Sequence, residues 1–78
     1  MPTRHWHLTY PRDLLAEPVL WQLGHEHDVV VNVRRADVRD DVGWVIVEAA
    51  GDEPALASAV EWLTATGVRV EELPADAG

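Results

Sequence analysis

The sequence contains no cysteine. That excludes a disulfide scaffold, thiolate metal ligation and a cysteine nucleophile, and it leaves the redox compartment open. Lysine is absent as well: six arginines stand against fourteen acids, for a formal net charge of -8. The imbalance is local, since residues 1–39 carry five arginines and five acids, whereas residues 40–78 carry nine acids and Arg69. Such a surface repels phosphate backbones, which argues against nucleic acid and anionic membrane as partners, and it suits plain solubility. No apolar run approaches the roughly 20 residues of a membrane span, and no signal-peptide pattern opens the chain. The expectation is a soluble, cytoplasmic protein with no direct membrane insertion. Gly24, Gly43 and Gly51 stand isolated, so there is no Gly-rich phosphate loop. Ser58 is the only serine and falls in a helical pattern, away from any nucleophile elbow. The adjacent acids Asp40–Asp41 and Glu71–Glu72 read as solvated. With no nucleophile or acid–base pair in place, neither an enzyme nor a cofactor is expected.

What is present suits one small domain. The 78 residues are 47% apolar and 26% charged, an ordinary globular balance. A chain of this size buries roughly 60–65% of its unfolded surface, enough for one modest core. Trp6, Leu8 and Tyr10 alternate with His5, His7 and Thr9, which predicts a strand over 4–10 ended by Pro11. The loop "PRDLLAE" leads to Pro18, a favoured first-turn residue, and Val19, Leu20, Leu23 and His27 share a helical stripe, so a helix is expected over 18–27. Gly24 weakens it by about 1 kcal/mol relative to alanine. The β-branched run in "DVVVNVRRADVR" predicts a strand over 29–36, "DDVG" a turn, and "GWVIVEAAG" a strand over 44–50. Asp52 is a candidate N-cap for the helix in "EPALASAVEWLTATG", which Gly67 stops, and "VRVEEL" predicts a last strand over 68–73. Residues 74–78 are expected to fray, leaving one domain over 1–73.

The order βαββαβ implies an α+β, ferredoxin-like sandwich: a four-stranded antiparallel sheet with both helices on one face. The helix-facing set should be Trp6, Leu8, Tyr10, Val29, Val31, Val33, Val45, Val47, Ala49, Val68 and Val70. The opposite, open face should receive His5, His7 and Thr9, then Val30, Asn32 and Arg34, then Trp44, Ile46 and Glu48, and finally Arg69 and Glu71. A strand solvated on one side should alternate apolar-in and polar-out. Trp44 and Ile46 break that rule, so the open face is expected to be covered by a ligand or by a second copy of the chain.

His5 and His7 should point the same way, about 6.5–7 Å apart. They are either polar alternates on the open face, or contacts for a ligand or dimer, since His7 should lie near Trp44, or a metal pair. No metal is expected, because a lone His-x-His is weak and no acidic partner adjoins it in sequence. His25 and His27 do not share a helix face at a spacing of two. Trp44 is an aromatic on an open sheet, a feature of some RNA-binding folds, but the RNP motif is missing and the acidic balance opposes that role.

The run "HLTYP…EPVLWQL…DVVVNVR…GWVIVEAAGDEPALASAVEWLTATGVRVEEL" resembles the NIL domain over about residues 5–73. The shared features are Tyr10-Pro11 after the first strand, the Glu17-Pro18 helix start, Asn32-Val33 where the family has Asn-Ile-Leu, Gly43 and Gly51 bracketing the third strand, and Glu61-Trp62-Leu63 before "GVRVEEL". The NIL domain is a ferredoxin-like module at the C-terminus of methionine-importing ABC transporter ATPases, found also beside iron–sulfur ferredoxin modules. The resemblance implies regulation by bound methionine in domains that pair through their sheets, with Asn32 matching the asparagine implicated in binding. An amide there can both donate and accept, although it is equally a satisfied strand-edge residue. Arg34 departs from the family leucine, and either pairs with a ligand carboxylate or is a solvated edge charge. No ATPase or ferredoxin is joined to the residues at hand, so the expectation is a stand-alone module. It would sense methionine or a related sulfur amino acid through Asn32, Arg34, Trp44 and His7, as a homodimer, with a transporter ATPase or another protein as partner. The alternative is an interaction module that binds a protein on its open face and no metabolite, steered to a basic partner by its acidic second half.

Overall fold

The structure is a computed structural model that describes residues 2–11, 18–39 and 42–74. Burial of the first strand, β1 (Thr3–Tyr10), follows its sequence alternation: Trp6, Leu8 and Tyr10 are buried, and His5, His7 and Thr9 are half-buried. Period-two patterning of this kind places one set of side chains against a core and the other on the opposite face. The remaining elements are α1 (Val19–Glu26), β2 (Val30–Arg39), β3 (Val42–Ala50), α2 (Glu53–Thr66) and β4 (Arg69–Leu73). The strands form one antiparallel sheet in the order β2-β3-β1-β4. Val19 and Leu23 from α1 and Leu56, Ala59 and Leu63 from α2 join Trp6, Leu8, Val45, Val47 and Ala49 in a single core. Both helices therefore cover the same sheet face, and the fold is the ferredoxin-like α+β sandwich.

Local chemistry sets the element ends. Pro18 caps α1, with its carbonyl accepting from the Gln22 amide at 2.9 Å, and the helix stops at Glu26 because His27 is extended. Asp52 caps α2 with extended backbone but without a side-chain cap bond, and Pro54 lies in the first turn, where its missing N–H costs nothing. Gly67 closes α2 at φ 112°, and the Gly67 and Val68 amides both donate to the Leu63 carbonyl. Gly51 fits a tight crossing, since a Cβ there would lie 2.9 Å from the Asp28 carbonyl oxygen. The buried Trp6 indole N–H donates to Glu72 Oε2 at 3.0 Å, which satisfies a polar group that could not otherwise reach water.

The largest difference from the sequence expectation lies in β2. The strand runs to Arg39 rather than ending at 36, and its pairing with β3 shifts between Val33 and Arg35. A bulge of this kind puts two residues of one strand opposite one of its partner and reverses the alternation beyond it. Val33 pairs with Val47 on the helix side, Arg35 with Ile46 on the open side, and Ala36 with Val45 on the helix side again. Val33, expected in the core, is 54% exposed. It faces the expected way, but β2 is an edge strand and the eight-residue α1 leaves it uncovered. Val31 and Val70 are half-buried against the core rather than inside it. The third strand starts two residues early, at Val42, and β4 one residue late, at Arg69. The expected frayed tail, apart from Pro74, and most of the expected loop before Pro18 and turn before Gly43 lie outside the described residues.

Candidate ligand-binding face

Cross-strand register arranges the open face into three rows. The first is Asn32, Glu48, His5 and Leu73; the second is Arg35, Ile46, His7 and Glu71; the third is Asp37, Trp44, Thr9 and Arg69. Residues opposite one another in an antiparallel pair have neighbouring Cβ atoms, so each row is a line of contacts.

The first row is polar. Glu48 Oε2 lies 3.3 Å from His5 Nε2 and 3.6 Å from Arg34 Nη1. Arg34, extruded at the bulge, still reaches this carboxylate, and beyond it Arg35 turns to the same face. Asn32 pairs with Glu48 in register and is exposed. The second and third rows carry the apolar part. Ile46 and Trp44 are half-buried, and the His7 ring stacks on Trp44 with centroids 5.5 Å apart and planes 20° from parallel. Thr9 Oγ1 sits 3.5 Å from His7 Nδ1, a contact at the limit of a hydrogen bond.

The four residues singled out from the sequence thus share one face without converging on one point. His7 and Trp44 form one contact. Asn32 and Arg34 gather around Glu48, four residues along β3 from Trp44, which is about 13 Å at strand rise. Ile46 lies between the two groups. Glu48 was placed on this face by alternation, but its role as the hub of His5 and Arg34 was not foreseen. Arg35 and Asp37 were missed altogether, because unbroken alternation points them at the helices. The signal available was the doubled arginine, two polar residues in succession within a strand that otherwise alternates Val31-Asn32-Val33 and Ala36-Asp37-Val38-Arg39.

His5 has an acidic neighbour in three dimensions that the linear sequence does not show. Even so, among the described residues no group of three or more His, Asp or Glu side chains is placed to hold a metal ion. The second histidine pair separates, since His25 stacks on Trp21 at 4.5 Å and His27 lies against Trp62 at 5.4 Å. No described helix is long and apolar enough to cross a membrane.

Among solved structures, the chain is similar to the C-terminal domain of an ABC transporter ATP-binding protein from Enterococcus faecalis, with a TM-score of 0.80 at 17% identity, covering 94% of this chain and 86% of that one. It is also similar to the de novo designed protein Foldit4, with a TM-score of 0.58 at 16% identity and 91% coverage of each chain. Identities this low show a common fold alone, and a designed protein among the matches makes the same point. No curated protein matches the chain. The NIL domain model matches residues 4–72, nearly the whole sequence, and the chain belongs to the NIL domain family.

Proposed function

We propose that the chain is a regulatory module that binds methionine or a related sulfur amino acid on the open face of its sheet. The observation that carries this reading is the adjacency of a polar row, Asn32, Glu48 and the bulged Arg34, to the apolar side chains of Ile46 and Trp44 further along β3. A zwitterion needs such a pair of environments. Glu48 accepts from an α-ammonium group, Arg34 donates to an α-carboxylate, and the Asn32 amide does either. A thioether then lies along Ile46 toward Trp44, where sulfur–aromatic contact is favourable. The Enterococcus faecalis relative in structure is a domain of a transporter ATP-binding protein, and membership in the NIL family supports a regulatory module of that type, with a transporter ATPase as its partner.

On this face Ile46 and Trp44 are only half-buried. A second copy applied to it covers both and encloses the ligand, so the active form is a homodimer. Apolar surface rimmed by polar groups also suits a protein partner. The competing reading is therefore an interaction module without a metabolite.

Isothermal calorimetry of the whole chain against L-methionine separates the two. Saturable binding at millimolar affinity or better, weakened about tenfold or more in both Asn32→Ala and Glu48→Gln, is the expected result. Silence from a folded parent leaves the interaction module as the reading. Light scattering with and without methionine tests the dimer.

A further inference from the structure

On the side of the sheet opposite those rows lies a cavity of about 310 Å³. It opens between the start of α1 and the bulged half of β2. Its wall includes Tyr10 at the end of β1, Trp21 of α1, Val33, Ala36 and Val38 of β2, and Trp44 of β3. The bulge creates it: the shift at Arg34 turns Ala36 and Val38 toward α1, where unbroken alternation would have put Asp37. None of the described lining residues carries a charge.

Two further features bear on the chemistry of the cavity. Trp21, Val33 and Val38 are 64%, 54% and 63% exposed, so large apolar side chains stand uncovered around it. Lone exposed apolar residues are ordinary, but several around one cavity are a feature of ligand sites. Tyr10, 9% exposed, has a buried hydroxyl with no hydrogen-bond partner among the described residues. Buried phenols normally find a partner, and a phenol O–H is a donor as well as an acceptor.

We propose that this cavity is a second small-molecule site, for a neutral, mainly apolar compound with a single hydrogen-bond acceptor that takes the Tyr10 hydroxyl. At about 30 Å³ per water-sized unit the space suits on the order of ten non-hydrogen atoms, at the small end of ligand pockets. A free amino acid is the wrong chemistry, because neither its ammonium nor its carboxylate group meets a countercharge among the described lining residues. The two sites share Trp44 but take ligands of different chemistry.

Acetophenone, a neutral aryl ketone, is a suitable probe, with ethylbenzene as a partner of similar shape that lacks the acceptor. Amide chemical shifts of the isotope-labelled chain are followed during titration of the parent, of Tyr10→Phe and of Ala36→Leu, which fills the cavity from an exposed strand position. Acetophenone is expected to move the amides of residues 10, 19–21, 33 and 36–38. Its affinity should fall about two- to tenfold in Tyr10→Phe, the range of one net hydrogen bond, and further in Ala36→Leu. Ethylbenzene should bind more weakly to the parent and be indifferent to Tyr10→Phe. No shift near saturation of the probe in water, equal acetophenone affinity in parent and Tyr10→Phe, or shifts confined to the open-face rows would each overturn the proposal. L-methionine is the control that keeps the two sites apart. Shifts in residues 32, 46 and 48 bear on the open face alone, since Trp44 borders both sites, whereas shifts around Tyr10 contradict a neutral ligand in the cavity.

Discussion

The His7 imidazole lies stacked on the Trp44 indole, 5.5 Å between centroids and 20° between planes, on the face of the sheet that no helix covers. They meet on a diagonal, since the residue opposite His7 is Ile46 and the residue opposite Trp44 is Thr9. Stacked rings of this kind contribute about 0.5–1.5 kcal/mol beyond the area they bury. A double-mutant cycle of His7→Ala and Trp44→Ala, read by urea unfolding, should return a coupling of about that size. Strict additivity would mean that the stack adds nothing to stability.

Trp6 and Glu72 are joined by a single hydrogen bond at the opposite side of the sheet. Trp6 is 1% exposed, so removing the acceptor strands a buried indole N–H. Glu72→Ala should cost about 1–3 kcal/mol, and Glu72→Gln, which keeps an oxygen in place, clearly less. Equal effects of the two substitutions in denaturant unfolding would show that the hydrogen bond is not the reason.

Two glycines should fail differently when replaced. Gly51→Ala drives a methyl to within 2.9 Å of the Asp28 carbonyl oxygen and 3.0 Å of Val29 Cγ1, an overpacking cost of about 1–3 kcal/mol. Gly67→Ala instead forces an L side chain to φ 112°, a backbone cost of about 1–2 kcal/mol. Asparagine, which tolerates the left-handed region, should rescue position 67 in part and position 51 not at all. Thermal melts of the four variants check this pattern.

Tyr10 is the only tyrosine, and burial pushes its phenol from 10.0 up to about 12. The folded chain then holds this proton more tightly than the unfolded chain does. The sign follows: the contribution is fully present below pH 10 and is lost as pH rises from about 10 to about 12. Stability should therefore fall over that window by more in the parent than in Tyr10→Phe. At neutral pH the phenylalanine variant should be more stable by about 1 kcal/mol, because a buried hydroxyl without a partner among the described residues is removed. A phenolate absorbance titration with its midpoint at 10 would contradict the first expectation, and a destabilised Tyr10→Phe the second.

Short-range pattern was enough for the order of elements, because each is set by residues a few positions apart. Trp6, Leu8 and Tyr10 at period two make a strand wherever it is placed. The spacing of Leu56, Ala59 and Leu63, with Gly67 beyond it, makes a helix that stops where it does. The pairing of Asn32 with Glu48, the reach of Arg34 to the same carboxylate and the turn of Ala36 and Val38 toward α1 depend on something else. All three rest on the register between β2 and β3, and a slip of one residue moves every later side chain to the opposite face. The doubled arginine marks where the slip occurs, but only pairing with β3 decides which residue is extruded. The sequence by itself therefore determined the βαββαβ order, the two-faced sheet and the family. Tertiary structure decided which polar side chains meet on the open face and that an apolar cavity lies behind them, because both follow from strand register, a relationship between distant residues that no local pattern contains.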